Sequence, residues 1–561
     1  MSTASPQPVT SIGDTPAGPA VQSAGVDAVS QILDQLDALR RGTARTLHIP
    51  RGVHRIDARR LPRRRCDISN HDSGDRPVLL DLRGLEGVTI RGEGAELIFE
   101  GDVVPLFLDG CRDVTVSGLT IDWDRPFLSQ GEVVRADAGQ IELSIGHDYP
   151  HEVRADRLVF TGQNYESSGL VNLLAFDPAR RETAFRARDH YGLAKQLRAE
   201  SAGPSRVRLK GDFPELPEPG QVMVIKHHGR TSPGFCVSGC AGVRFEDVTV
   251  HHAGGMAFVA QASRDVSLQR CRVCVRPGSD RMFSSHADAT HFVDCRGRLE
   301  LIDCVFANQM DDATNIHGIF RRVLSQPSGD RVEMAVMHEQ QRGVDTFGVG
   351  DTLAFYDDRT FEQIGRAELV SKQRRDACLT DYRLSRSLDL PAGHTVAMRW
   401  DHDVDVVIRG CVCENNRARG LLVSTLGRVL IEENRLHVPG SAVQFCFDAG
   451  SWYESGPVED VTIRRNEFDN CLYGVWGPAL IAVNPHIAPA LRGQPVNRNI
   501  RIVDNEIRTA DPRLLWAHSV DGLVLRGNRV TPTDAYPRDQ AGPAVTLAGA
   551  VRGFDSDLPA G

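Results

Sequence analysis

Short β-branched strands closed by polar turns return along this chain at a spacing near 23 residues, and that recurrence limits the fold more than any other feature. Gly242-Val243-Arg244-Phe245 and Asp265-Val266-Ser267-Leu268 are 23 residues apart, as are Asp405-Val406-Val407-Ile408 and Arg428-Val429-Leu430-Ile431, and Asn499-Ile500-Arg501-Ile502 and Gly522-Leu523-Val524-Leu525. Gly87-Val88-Thr89-Ile90, Asp113-Val114-Thr115-Val116 and Asp460-Val461-Thr462-Ile463 belong to the same series. A period of roughly 20–50 residues marks solenoids, propellers and arrays. Alternating apolar residues turn one face of each unit inward. Asn434, Asn466, Asn505 and Asn528 each stand three residues beyond the last apolar strand residue, and Cys271, Cys304 and Cys411 take the same place elsewhere. Amides in phase on successive turns bond along a ladder. The expected fold is all-β, a right-handed parallel β-helix.

Two stretches lose the period. Residues 124–235 and 318–402 have longer strands and turns such as Pro214-Glu215-Leu216-Pro217-Glu218-Pro219-Gly220, and read as two inserted antiparallel β subdomains, barrel-like, hung from coil corners. Val29, Ile32, Leu33, Leu36 and Leu39 fall at helical spacing before Gly42, a helix suited to plugging the open end of the coil. The organisation expected is a flexible terminus (1–25), cap helix and first coils (26–123), first insertion (124–235), central coils (236–317), second insertion (318–402), C-terminal coils (403–535) and a mobile tail (536–561).

Composition removes several function classes. A net charge of −9 and no basic stretch interleaved with aromatics argue against nucleic acid as a partner. The run Arg59-Arg60-Leu61-Pro62-Arg63-Arg64-Arg65 reads as a solvated loop. No apolar run approaches the roughly 20 residues that span a bilayer, so no membrane partner is expected. The N-terminus lacks a basic stretch followed by an apolar one, which reads as a cytoplasmic or signal-trimmed chain. Thirteen cysteines, without paired C-x-x-C motifs at zinc spacing, indicate neither a full disulfide framework nor a structural metal. They read as small core residues, with Cys236 and Cys240 a pair only in an oxidising compartment.

One neighbourhood concentrates reactive groups. Asp288 and Asp311 are 23 residues apart, one repeat, which puts them on the same face of adjacent turns at about 4.8 Å. Close carboxylates raise one another's pKa, so one keeps a proton while the other stays charged, the division of labour glycoside hydrolysis needs. Asp312, in a regular strand, points the opposite way and joins them only where a corner or bulge turns it outward. His286, Asn315 and His317 flank the aspartates as substrate-binding candidates. Arg230 at the end of the first insertion, Glu339 and Asp345 in the second, and Trp452 and Glu454 farther on extend the cleft, the tryptophan as a platform for a sugar face. Calcium is the alternative occupant of such carboxylates. Surface filler is the plain reading of any one of the loop residues alone.

At these motifs the sequence resembles glycoside hydrolase family 110, the α-1,3-galactosidases. The resemblance covers nearly the whole chain, from Gly118-Leu119-Thr120-Ile121-Asp122-Trp123-Asp124 through Gln309-Met310-Asp311-Asp312-Ala313-Thr314-Asn315-Ile316-His317-Gly318 to Ala418-Arg419-Gly420-Leu421-Leu422-Val423-Ser424-Thr425. It implies a β-helix carrying inserted β-barrels and cofactor-free, inverting removal of terminal α-1,3-linked galactose from blood-group-B-type and related glycans. It also implies catalytic carboxylates at Asp288, Asp311 and Asp312, without a metal, and a further acidic residue at Glu339 or Asp345. The partner expected is an α-galactosyl oligosaccharide or glycoconjugate, with a homodimer left open. Two readings compete: a polygalacturonase-like pectin hydrolase, whose uronate substrates call for a basic subsite that residues 284–318 hardly supply, and a non-catalytic glycan-binding β-helix.

Overall fold

The computed structural model describes residues 28–558 apart from 163, 168, 402, 489, 490, 492 and 539. The flexible terminus expected at residues 1–25 lies outside the described residues. The repeat units stack in parallel register: Val243 is opposite Val266, Val406 opposite Val429 and Ile500 opposite Leu523. A 21-stranded sheet carries two faces of the coil, and a 13-stranded sheet carries the third. Inward residues of all faces, among them Val266, Phe292, Ile316, Val406, Ile431 and Leu523, merge into one apolar core. The helix Ala28–Arg40 buries Val29, Ile32, Leu36 and Leu39 against the first turn and closes that core.

The asparagine corners form a continuous ladder. Asn434 Nδ2 donates to Asn466 Oδ1 (2.9 Å), Asn466 Nδ2 to Asn505 Oδ1 (3.0 Å) and Asn505 Nδ2 to Asn528 Oδ1 (2.8 Å), each amide also donating to a strand carbonyl. The ladder hands over to the cysteine stack where Cys411 N–H donates to Asn434 Oδ1 at 2.9 Å. All thirteen cysteines are free thiols. Cys236 and Cys240 do not pair: Cys236 is sealed among Cys66, Val259 and Met256, while the Cys240 sulfur accepts from Cys111 N–H at 3.2 Å. The arginine run is a set of ion pairs rather than a free basic patch, with Arg64 donating to Asp81 (2.7 Å) and Asp109 (2.9 Å).

Between strands Arg112–Trp123 and Phe235–Ser238 the chain builds a seven-stranded antiparallel sheet and a smaller three-stranded one. Their shared core takes Phe283 and Met310 from the coil, so the first insertion grips the coil beside the aspartates. The second insertion closes into a six-stranded barrel running from Arg321–Ser328 to Thr395–Arg399. At the far end the structure departs from expectation. Residues 543–556 are not a loose tail but a further turn of coil, with Val545 opposite Leu515 and Phe554 opposite Leu523. Glycines, prolines and aspartates there hide an ordinary apolar alternation. Among the described residues no helix is long and apolar enough to cross a membrane.

Candidate active site

The register at the aspartates differs from the repeat. Thr290 lies opposite Thr314 and His291 opposite Asn315, a step of 24 residues, so it is Asp312 rather than Asp311 that stands in line with Asp288. Ala289 N–H accordingly donates to the Asp312 carbonyl oxygen. The extra residue is accommodated in the bend between strands Val305–Ala307 and Thr314–Ile319. Asn308 enters that bend at φ 59°, a left-handed conformation asparagine tolerates, and its amide donates to the Arg181 carbonyl of the first insertion at 2.8 Å. Asp311 and Asp312 both leave the regular strand at this corner, and one oxygen from each of Asp288, Asp311 and Asp312 lies within 4.8 Å of the others.

The surroundings split the three carboxyls. Asp311 is buried, yet Arg417 and Arg230 bond its two oxygens separately, each at 2.5 Å. Burial pushes its carboxyl up, but those two guanidiniums and Lys226 together hold it well below the usual carboxylate range. Asp312 accepts from the Arg419 backbone N–H at 2.9 Å and from its guanidinium at 2.9 Å. There desolvation, aided by Asp311 and Asp288, outweighs the single arginine and raises the carboxyl to about 7. Asp288 bonds His291 Nδ1 at 2.8 Å, and burial with the neighbouring Asp311 charge pushes it up to about 7. Burial also lowers Lys226 to about 7, its ammonium donating to the Met310 carbonyl at 2.8 Å. One ionised carboxylate thus stands beside two that exchange protons near neutrality.

These groups line one cavity of about 600 Å³, in the usual range for a ligand site. His286 and Asn315 are on its wall. His286 is 2% exposed, burial keeps its ring neutral, and neither ring nitrogen has a partner among the described residues. Glu454 reaches the cavity from the short strand Glu454–Ser455 paired with Gly318–Ile319, and accepts amide hydrogens from Asn70 (3.0 Å) and Asn315 (3.1 Å). Trp452 is 38% exposed at the mouth, stacked on His338 at 4.2 Å with the Arg230 guanidinium over its ring at 5.6 Å. His317 is buried behind the wall. Glu339 and Asp345 are not among the cavity residues: Gln340 takes the rim position beside Glu339, and Asp345 is bound to Lys372 at 2.8 Å on the barrel.

Sequence reasoning missed Arg417 and Arg419 as site residues. They lie more than a hundred positions beyond the aspartates, across the second insertion, and only the pairing of Leu421 with Thr314 brings them in. Asp189, from the first insertion, was missed too; it holds Arg417 from the other side at 2.7 Å. The basic subsite that residues 284–318 do not supply does exist, as Lys226, Arg230, Arg417 and Arg419, but five carboxylates on the same wall offset it. The arginines already fill oxygens of Asp311 and Asp312, a donor set unlike the open oxygen cage calcium requires.

A family description, GLAA-B beta-barrel domain I, matches residues 129–223. Alpha-1,3-galactosidase A of Shewanella woodyi is 31% identical over 529 residues, spanning 92% of this chain and 85% of that protein. Alpha-1,3-galactosidase B of Bacteroides thetaiotaomicron is 30% identical over 524 residues, spanning 91% and 84%. Among solved structures, the family 28 exopolygalacturonase of Yersinia enterocolitica is 10% identical with a TM-score of 0.40, covering 95% of this chain and 76% of that one. Identity at this level across nearly the full length of both galactosidases means that the chain belongs to glycoside hydrolase family 110, the α-1,3-galactosidase family.

Proposed function

We propose that this glycoside hydrolase removes terminal α-1,3-linked galactose from blood-group-B-type or related glycans, with inversion at the anomeric carbon, using Asp288, Asp311 and Asp312. The observation that carries the reading is the split among the three carboxyls. Asp311 stays charged with both oxygens held by guanidiniums, so it lacks the free lone pair a covalent nucleophile needs. It serves instead as a fixed negative charge beside the developing oxocarbenium ion. Asp288 and Asp312, near 7, are matched to neutral working pH as the proton donor to the glycosidic oxygen and the proton acceptor for the attacking water. With water as nucleophile, configuration inverts. The spacing supports a water placed beside the trio, since nearest oxygens within 4.8 Å are closer than the roughly 6.5–9.5 Å usual for an inverting pair.

The sugar's handles are His286, Asn315, Glu454 and Arg230, with the penultimate unit against Trp452. A cavity with five carboxylates against four cations suits a neutral galactosyl unit better than a uronate. The test is to incubate the protein with B-type trisaccharide and linear α-1,3-galactobiose and follow released galactose by proton NMR. β-Galactose is expected first, and Asp311→Asn is expected to abolish its release while leaving binding. Initial α-galactose would overturn inversion, and undiminished release by Asp311→Asn would overturn the site.

A further inference from the structure

Behind the cavity wall, side chains of two adjacent coil strands make an unbroken chain of hydrogen bonds ending on Asp288. His317 Nδ1 lies 2.7 Å from the Gly318 carbonyl oxygen, His317 Nε2 lies 3.0 Å from His291 Nε2, and His291 Nδ1 lies 2.8 Å from Asp288 Oδ2. Both rings are buried, at 1% and 0% exposure. The protons in this chain can be counted. A carbonyl oxygen only accepts, so His317 Nδ1 carries hydrogen. Three contacts need three protons, and two neutral imidazoles bring two. The third must sit on Asp288 or convert a ring to imidazolium. If both rings were neutral and Asp288 ionised, one contact would set two lone pairs face to face in a buried place, where the lost bond costs its full desolvation.

We propose that His291 and His317 are positioning residues that lock a proton on Asp288 and so make it the general acid, an assignment that rests on the galactosidase reading above. In the resting chain Asp288 donates to His291 Nδ1, His291 Nε2–H donates to His317 Nε2, and His317 Nδ1–H donates to Gly318. Charged groups facing Asp288 are Asp311, Arg230, Glu454 and Arg419, and those facing His291 are Glu454, Arg230 and Asp311, with the His317 ring beside it. His71 stands near His291 from the first turns, and Glu454 lies 3.5 Å from His317. Burial drives His291 far below the ordinary histidine range and pushes Asp288 up to about 7, in keeping with neutral rings and a carboxylic acid. In the reaction Asp288 gives its proton to the glycosidic oxygen while the bond from that oxygen to C1 breaks, its electron pair remaining on the oxygen. The attacking water forms the new bond to C1 and gives a proton to the Asp312 carboxylate. The chain, now one proton short, reloads Asp288 from solvent once galactose has left.

His317→Phe removes the acceptor for His291 Nε2–H and frees His291 to donate through Nδ1 to an ionised Asp288. The alkaline limb of kcat/KM is expected to move down by about one pH unit, and kcat on α-1,3-galactobiose to fall about fivefold at pH 7 with KM little changed. Nitrophenyl α-galactoside, whose leaving group departs without protonation, is expected to be cleaved at nearly the wild-type rate. Equal losses on both substrates, or an unmoved limb, would overturn the proton lock. Nitrogen NMR of the histidines in the wild-type protein tests it without a variant. Expected is hydrogen on His291 Nε2 and His317 Nδ1, whereas hydrogen on His291 Nδ1 beside a neutral His317 would refute it. Wild-type protein that releases no galactose would sink the galactosidase reading itself; wild-type turnover with an unmoved limb in the variant would sink only the lock.

Discussion

At the scale of single residues, the same burial that equips Asp288 for catalysis makes it costly to the fold. Its carboxyl titrates near 7 in the folded protein and near 4 in an unfolded chain. Between those values the folded state holds a proton the unfolded chain has lost, so stability falls as pH rises through about 4 to 7 and the whole cost is present by about pH 8. Asp288→Asn keeps the contact, because the amide N–H donates to His291 Nδ1 as the protonated carboxyl does, and it cannot ionise. The variant is therefore expected to be inactive and to melt several degrees above the wild type at pH 8, with the gap closing toward pH 4. A melting temperature at or below wild type at pH 8 would contradict the assigned environment. Asp288, Asp311 and Asp312 were legible in the sequence because they are acidic groups one repeat apart. What made them differ was not, since Arg417, Arg419 and Asp189 reach them only through the folded coil.

Elements of the coil were readable where their chemistry is periodic. Val243 and Val266, or Val406 and Val429, face each other because each β-branched strand repeats the phase of the last. The step from Thr290 to Thr314 was not readable, for a one-residue slip is absorbed in a bend that leaves no mark on the apolar pattern. That slip decides that Asp312, and not Asp311, stacks on Asp288. The asparagine ladder gives the element scale its own test. Asn466 supplies an acceptor to Asn434, and donates to Asn505 and to the Ile431 carbonyl, all in buried positions. Asn466→Ala strands several of these groups at once, and each unmet buried partner costs about 1–3 kcal/mol. A clear drop in melting midpoint is expected from calorimetry, whereas an unchanged midpoint would show that the ladder is not stabilising.

The whole molecule explains why so elongated a coil carries a site at one place. The first insertion sends Lys226, Arg230 and Asp189 to the aspartates and draws Met310 and Phe283 into its own core, while the stretch after the barrel returns Arg417 and Arg419 to them. The coil aligns the carboxyls and the first insertion supplies much of the charge that distinguishes them. Aperiodic loops 124–235 and 318–402 announced themselves in sequence as insertions, but their direction of return is a tertiary property. The central claim, that Asp288, Asp311 and Asp312 close around the terminal galactose, meets its most direct test in a crystal structure of Asp288→Asn soaked with linear α-1,3-galactobiose. The galactose to be released is expected among those three side chains, with its partner sugar against Trp452; ordered disaccharide elsewhere, with this cavity empty of sugar, would contradict the account.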